Sequence, residues 1–155
     1  MLKLKAFIIV FLMFFNLAFA QQLFDLVKIS DSAIELTKNK VEYDGAYYSI
    51  PYPNGDVPDN IGVCTDVIIR TYRSIGLDLQ KEVHEDIKAN FELYPPLWNL
   101  KKPDTNIDHR RVPNLMRYFK RQGAEVSITN NGKDYLPGDV VSWSLEGGLT
   151  HIGIV

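Results

Sequence analysis

The sequence predicts one α+β domain, because its helical patterns come first and its strand patterns come last. The chain has 155 residues, of which 46% are hydrophobic, and this is enough for one compact core and too little for two. Eight Tyr, eight Phe and two Trp exclude a disordered chain. Seventeen basic residues against nineteen acidic ones exclude nucleic-acid binding through bulk charge.

The first twenty residues stand apart from the domain. Two early lysines precede an apolar run over 6–15, and Ala-Phe-Ala at 18–20 is a small-residue cleavage site. We therefore expect a signal peptide over 1–20 and an exported domain over 21–155, in the periplasm or outside the cell. A membrane-anchoring helix is the alternative, but the run is shorter than the roughly 20 residues that a span needs. We expect no stable membrane anchor after cleavage.

Apolar residues at helical spacing, together with end signals, predict four helices. These segments are 23–40, 65–75, the run from Asp78 to Tyr94, and the run from Pro113 to Gly123. Ser-Asp-Ser at 30–32 is a possible interruption of the first helix. Asp78 is a good N-cap, and Pro113 suits a first helical turn. The residues expected to face the core are Val67, Ile68, Tyr72, Ile75, Leu79, Val83, Ile87, Phe91, Leu115, Met116 and Phe119.

Strand patterns follow the helices. They cover 124–128, 139–143 and 149–155, with glycine-containing turns at 130–132 and 146–148. A shorter strand-like run lies at 47–50, and 97–111 reads as a polar connection. Trp98 and Trp143 are expected in the core. The sequence stops inside an apolar strand pattern, so we expect it to be incomplete at its C-terminus.

The single cysteine, Cys64, is the first candidate for chemistry. It excludes an internal disulfide and a multi-thiolate metal site. Cys64 lies between a Gly/Pro-rich loop and a predicted helix start, where backbone N–H groups and the helix dipole favour a thiolate and can bind an oxyanion. Asp66 opposes the thiolate unless it is turned aside or paired. The alternative is a buried, inert cysteine.

A nucleophilic cysteine needs a base, and the chain has His84, His109 and His151. His151 follows a glycine-rich turn and has apolar neighbours, which would hold its ring rigidly, as a general base requires. A core histidine with one hydrogen bond is the alternative.

Two other clusters are weaker candidates. His84 and His109 with nearby carboxylates could form a metal site for a metal-dependent hydrolase, but no His-Glu-x-x-His pair exists and no metal is expected. For the segment VHED at 83–86 we expect a polar helix face or buried hydrogen bonding instead. Basic residues collect on and before the last predicted helix: Arg110, Arg111, Arg117, Lys120 and Arg121. They form either a solvated face or a site for carboxylates.

Several segments resemble known bacterial families. Residues 62–68 resemble the nucleophile segment of NlpC-type cell-wall cysteine peptidases, and 136–143 with 151–155 are similar to their paired strands. More closely, the stretch from about residue 50 to 155 resembles an uncharacterised group, the domain-of-unknown-function family 1287. The motifs that carry this second resemblance are YPNGDVP at 52–58, VHED at 83–86 and NIDHRRVPNL at 106–115.

The resemblance implies a papain-like fold, with helices packed on a small antiparallel sheet and the nucleophile at a helix N-terminus. It implies Cys64 as nucleophile, His151 as base and Tyr52 beside the oxyanion. Peptidoglycan stem peptides are the implied substrates, with no cofactor. The candidate substrate-binding residues are Asp66, His109, Arg110 and Arg111. The two arginines could bind the carboxylates in which these peptides end.

This chain departs from the peptidase pattern at two points. It has Val-Cys-Thr-Asp where the family has Asp-Cys-Ser-Gly, which leaves Asp66 unexplained. The strand that carries the family's third catalytic residue would lie beyond Val155. With Cys64 and His151 in matching order, the resemblance nevertheless implies an exported cysteine hydrolase, an amidase or endopeptidase of peptidoglycan peptides. The alternative is an inactive module of the same fold that binds cell-wall peptides or a protein.

Overall fold

Residues 25–155 are described by the structure, which is a computed structural model. The predicted signal peptide and the predicted start of the first helix at Leu23 lie outside these residues. Within residues 25–155, no helix is both long enough and apolar enough to cross a membrane.

The described residues contain α-helices and two separate two-stranded sheets, which confirms the α+β class. The helices of the described part are α1 (25–36), α2 (Cys64–Arg73), α3 (Leu79–Ala89) and α4 (Val112–Arg121). The strands are β1 (Glu42–Tyr43), β2 (Ile61–Gly62), β3 (Val140–Ser144) and β4 (Thr150–Ile154). β1 and β2 pair in parallel, whereas β3 and β4 form an antiparallel hairpin with Trp143 opposite His151.

The core lies between α2, α3, α4 and one face of the hairpin. Ile68, Leu79, Val83 and Leu115 are fully buried, and Ile152 joins them from β4. Because Ile152 packs into the helical core, β4 is held against α2. This contact positions the residues discussed below.

The local signals for helix starts and turns are confirmed. The Asp78 carboxylate accepts the N–H of the second residue of α3. Pro113 lies in the first turn of α4, and Gly123, with φ of 74°, follows its end. Gly147, with φ of 75°, lies in the turn between β3 and β4, a conformation that favours glycine.

Some predicted boundaries are wrong. α1 continues through 30–32 without a break. α3 ends at Ala89 rather than near Tyr94. Just after the end of the helix, the Asn90 side-chain amide donates to the Asp86 carbonyl at 3.0 Å. The predicted polar connection at 97–111 contains a buried 3₁₀ turn, Asp108–Arg110.

Two predicted strands are absent from the described residues. The run at 47–50 has no partner strand among the described residues. Its Ile50 N–H donates to a side chain instead, the Asn106 carboxamide oxygen, at 2.9 Å. The run at 124–128 forms no ladder, and Ile128 is 93% exposed. An alternating pattern favours a strand only where a partner strand is available.

Several burial predictions are also wrong. Four side chains that were expected inside are exposed: Val67, Trp98, Met116 and Trp143. In α2 the buried stripe passes through Ile69 rather than Val67, and in α4 it passes through Tyr118 rather than Met116. Other residues of the predicted stripes are confirmed: Ile68 and Leu115 are fully buried, and Tyr72 and Phe119 pack against the core.

Candidate functional site

A cleft of about 400 Å³ opens beside the N-terminus of α2. The end of α1 and the segment after it form one wall, with Leu36 and Tyr43 among its residues. α2 forms the second wall, and β4 forms the third. Cys64 and His151 both line this cleft.

Cys64 is the first residue of α2 and is partly buried. Val63 before it has an extended backbone, so the chain turns sharply from β2 into the helix. At the start of an α-helix the first N–H groups have no partner within the helix. The sulfur therefore lies where an oxyanion formed on an attacked carbonyl could be bound.

His151 reaches the cleft from β4. Its ring packs edge-on against the Trp143 indole across the hairpin, with ring centroids 4.8 Å apart. The indole also lies 3.4 Å from the position that a Cβ on Gly153 would take. The indole therefore packs close to the backbone at Gly153 as well as against the His151 ring.

Asp66 is buried and paired, which accounts for its presence beside Cys64. Its carboxylate accepts two hydrogen bonds from Arg110, at 2.9 and 3.0 Å, and one from the Val63 N–H at 2.7 Å. Both side chains of the pair are almost fully buried. Because the negative charge is compensated by Arg110, it does not act on Cys64 as an isolated carboxylate would. The pair also ties the start of α2 to the 3₁₀ turn.

His109 is buried beside this ion pair and does not line the cleft. Its Nδ1 has no hydrogen-bond partner among the described residues. Burial lowers the pKa of His109 to about 4, and the nearby positive charges of Arg73 and Arg110 act in the same direction, whereas Asp66 and Asp78 oppose them. The ring is therefore neutral at neutral pH.

We expect this histidine to make the protein sensitive to acid. In the unfolded chain its pKa is near 6.5, so between pH 6.5 and 4 the unfolded state binds more protons than the folded state. Stability from this source is complete above pH 6.5 and falls with pH, by about 3 kcal/mol at pH 4. Urea unfolding from pH 7 to 4 measures it. A His109→Gln variant should lose less stability over that range, and curves that run parallel would contradict the prediction.

The remaining candidates lie away from the cleft. Arg111 stacks on Trp98, with its guanidinium carbon 4.2 Å from the ring centroid, and burial lowers the pKa of Arg111. Tyr52 donates its hydroxyl to Glu85 at 2.8 Å, and burial and this hydrogen bond raise its pKa to about 12. The structure therefore brings Cys64, His151 and Asp66 to the cleft, but not Tyr52 or Arg111.

The sequence analysis missed one residue of the cleft and did not give the partner of His84. Tyr43 lines the cleft and is largely exposed; its position at the end of the two-residue strand β1 carried no recognisable signal. His84 Nδ1 lies 2.9 Å from the buried Asp108 carboxylate, a pairing of α3 with the 3₁₀ turn. No group of three or more metal-ligating side chains occurs among residues 25–155.

Comparison with known proteins places the chain beside a protein family and a curated relative. A family model described as a domain of unknown function, DUF1287, matches residues 30–155. The uncharacterized protein YijF of Escherichia coli (strain K12) is 52% identical over 127 residues, which are 82% of this chain and 62% of that protein. The chain thus spans less than two thirds of the length of this curated relative. No solved structure matches the chain.

Proposed function

We infer a function from the premise that the chain belongs to the DUF1287 family, whose model covers residues 30–155. We propose that it is an exported cysteine hydrolase with a papain-like fold that cuts amide bonds in peptidoglycan peptides. One observation carries the proposal: Cys64, at the first position of α2, and His151, in β4, line the same cleft. The peptide substrates and the export are supported by the motifs shared with NlpC-type peptidases and by the leader-like first twenty residues.

In the proposed reaction, His151 takes the proton of the Cys64 thiol, and the sulfur attacks the carbonyl carbon of the amide. The C–O π electrons move to oxygen, where N–H groups at the start of α2 stabilise the charge. The carbonyl re-forms as the C–N bond breaks, and His151 gives its proton to the leaving amine. Water then attacks the thioester, and the acid and the free thiol are regenerated.

A tyrosine beside the oxyanion is better supplied by Tyr43 than by Tyr52. Tyr43 lines the cleft, and among the described residues no hydrogen bond involves its hydroxyl. The Tyr52 hydroxyl is already engaged with Glu85 and lies outside the cleft. We therefore propose Tyr43 as the additional donor.

The full chain, purified and incubated with a soluble muropeptide mixture, tests the proposal. We expect new amine-bearing fragments by mass spectrometry with the wild type and none with Cys64→Ala at an unchanged melting temperature. Equal digestion by both proteins would overturn a role for Cys64. No digestion, with the muropeptides retained on immobilised protein, would favour the inactive binding module.

A further inference from the structure

The charges that line the cleft are all compensated within the protein. Among its described lining residues, only Asp66 and Arg70 carry a fixed charge. Asp66 is paired with Arg110, and Arg70 donates to both oxygens of Asp56, at 3.0 and 3.1 Å. Neither Arg110 nor Asp56 lines the cleft. A charged group of a substrate would therefore lose water there without finding an unpaired counter-charge.

The same cleft exposes apolar side chains around Cys64. Leu36, Val41 and Val67 come from two of its walls, whereas Ile152 in the third wall is buried in the core. Val41 and Val67 are 42% and 38% exposed, so apolar area remains available for a ligand to cover. The volume of about 400 Å³ lies near the lower end of the usual range for small-molecule sites, roughly 300–1,000 Å³. A site of this size can hold an acyl group, and the octanoate ester below tests a longer apolar chain against a short one.

We infer that Cys64 accepts an acyl group from an uncharged residue with a small apolar side chain, of the alanine type, and disfavours acidic acyl residues. The inference rests on the proposed cysteine hydrolase and specifies the side of the scissile bond that enters the cleft. A glutamyl carboxylate would be desolvated beside Leu36 and Val67, whereas an alanyl methyl group would cover part of that surface.

The inferred acyl preference is tested on the full chain with four substrates. They are the 4-nitrophenyl esters of N-acetyl-alanine, N-acetyl-glutamate, N-acetyl-lysine and octanoate. In each, the S–C bond to Cys64 forms as nitrophenolate leaves, and water then releases the acid. We expect kcat/KM for the alanyl ester to exceed that for each of the other three by about tenfold or more. These differences should appear only in the part of the rate that Cys64→Ala abolishes.

A positive charge introduced at the rim of the cleft tests the same preference, and the same substitution elsewhere is its matched control. Asn39 lines the cleft and is exposed, and Asn130 is exposed and lies elsewhere. Asn39→Lys should lower the alanyl-to-glutamyl ratio by about threefold or more by supplying the missing counter-charge, and Asn130→Lys should leave it unchanged.

The outcomes separate the inference from the proposed function. A Cys64-dependent rate that is as fast with the glutamyl or lysyl ester as with the alanyl ester would overturn the inference alone. A Cys64-dependent rate fastest with octanoate would replace it with a lipid acyl substrate. No Cys64-dependent rate with any ester would overturn the proposed hydrolase, and the inference with it.

Discussion

A His151→Ala variant is expected to lose about 10²- to 10⁴-fold in the rate of Cys64 acylation, because general acid–base catalysis contributes on that scale. His151 lines the cleft with Cys64, and its ring is packed against Trp143. The first turnover of N-acetyl-alanine 4-nitrophenyl ester, followed by release of nitrophenolate, measures the rate. Free imidazole should restore part of it, since the alanine leaves space beside the Trp143 indole.

The control for this experiment is His84→Ala. His84 is also partly buried, but it pairs with Asp108 and does not line the cleft. We expect it to keep the wild-type acylation rate where the variant is folded. A His151→Ala rate within threefold of wild type, or a comparable loss with His84→Ala, would refute His151 as the base.

The parts of the fold that depend on local signals were predictable. The Asp78 cap, Pro113 in the first turn of α4 and the glycine turn between β3 and β4 each follow from residues within a few positions. The strand at 124–128 was not excluded by the sequence, because its apolar alternation is the same with or without a partner. Trp143 could not be placed for a similar reason: it lies opposite His151, on the other face of the hairpin from the buried Ile152, and the sequence alone does not say which face packs on the helices.

The candidate site also combines features that follow from local sequence with features that depend on contacts between distant residues. Cys64 at a helix start and His151 after a turn are local features, and the sequence pointed to both. Their shared cleft depends on β4 packing against α2 through Ile152, which no spacing encodes. The role of Asp66 was also hidden, because its partner Arg110 is 44 residues away in the chain.

The buried ion pair of Asp66 and Arg110 is expected to have a second large effect, on the free energy of unfolding. Asp66→Asn should lower the free energy of unfolding by about 3–5 kcal/mol, because the Arg110 guanidinium stays buried without its counter-charge. Urea unfolding at pH 7 measures it. Asp31→Asn, an exposed position on α1, should stay within about 0.5 kcal/mol of wild type. If Asp66 acted only on substrate, Asp66→Asn would be as stable as wild type and would raise KM alone.

A double variant separates the ion pair from the helix cap, since Asp66 also accepts the Val63 N–H. Asp66→Asn combined with Arg110→Met removes both charges and keeps an amide oxygen that can accept from Val63. Replacing both partners of a buried ion pair is much less costly than removing one. We therefore expect the double variant to recover at least half of the lost stability. A double variant as unstable as Asp66→Asn would show that an unpaired Arg110 charge does not account for the loss.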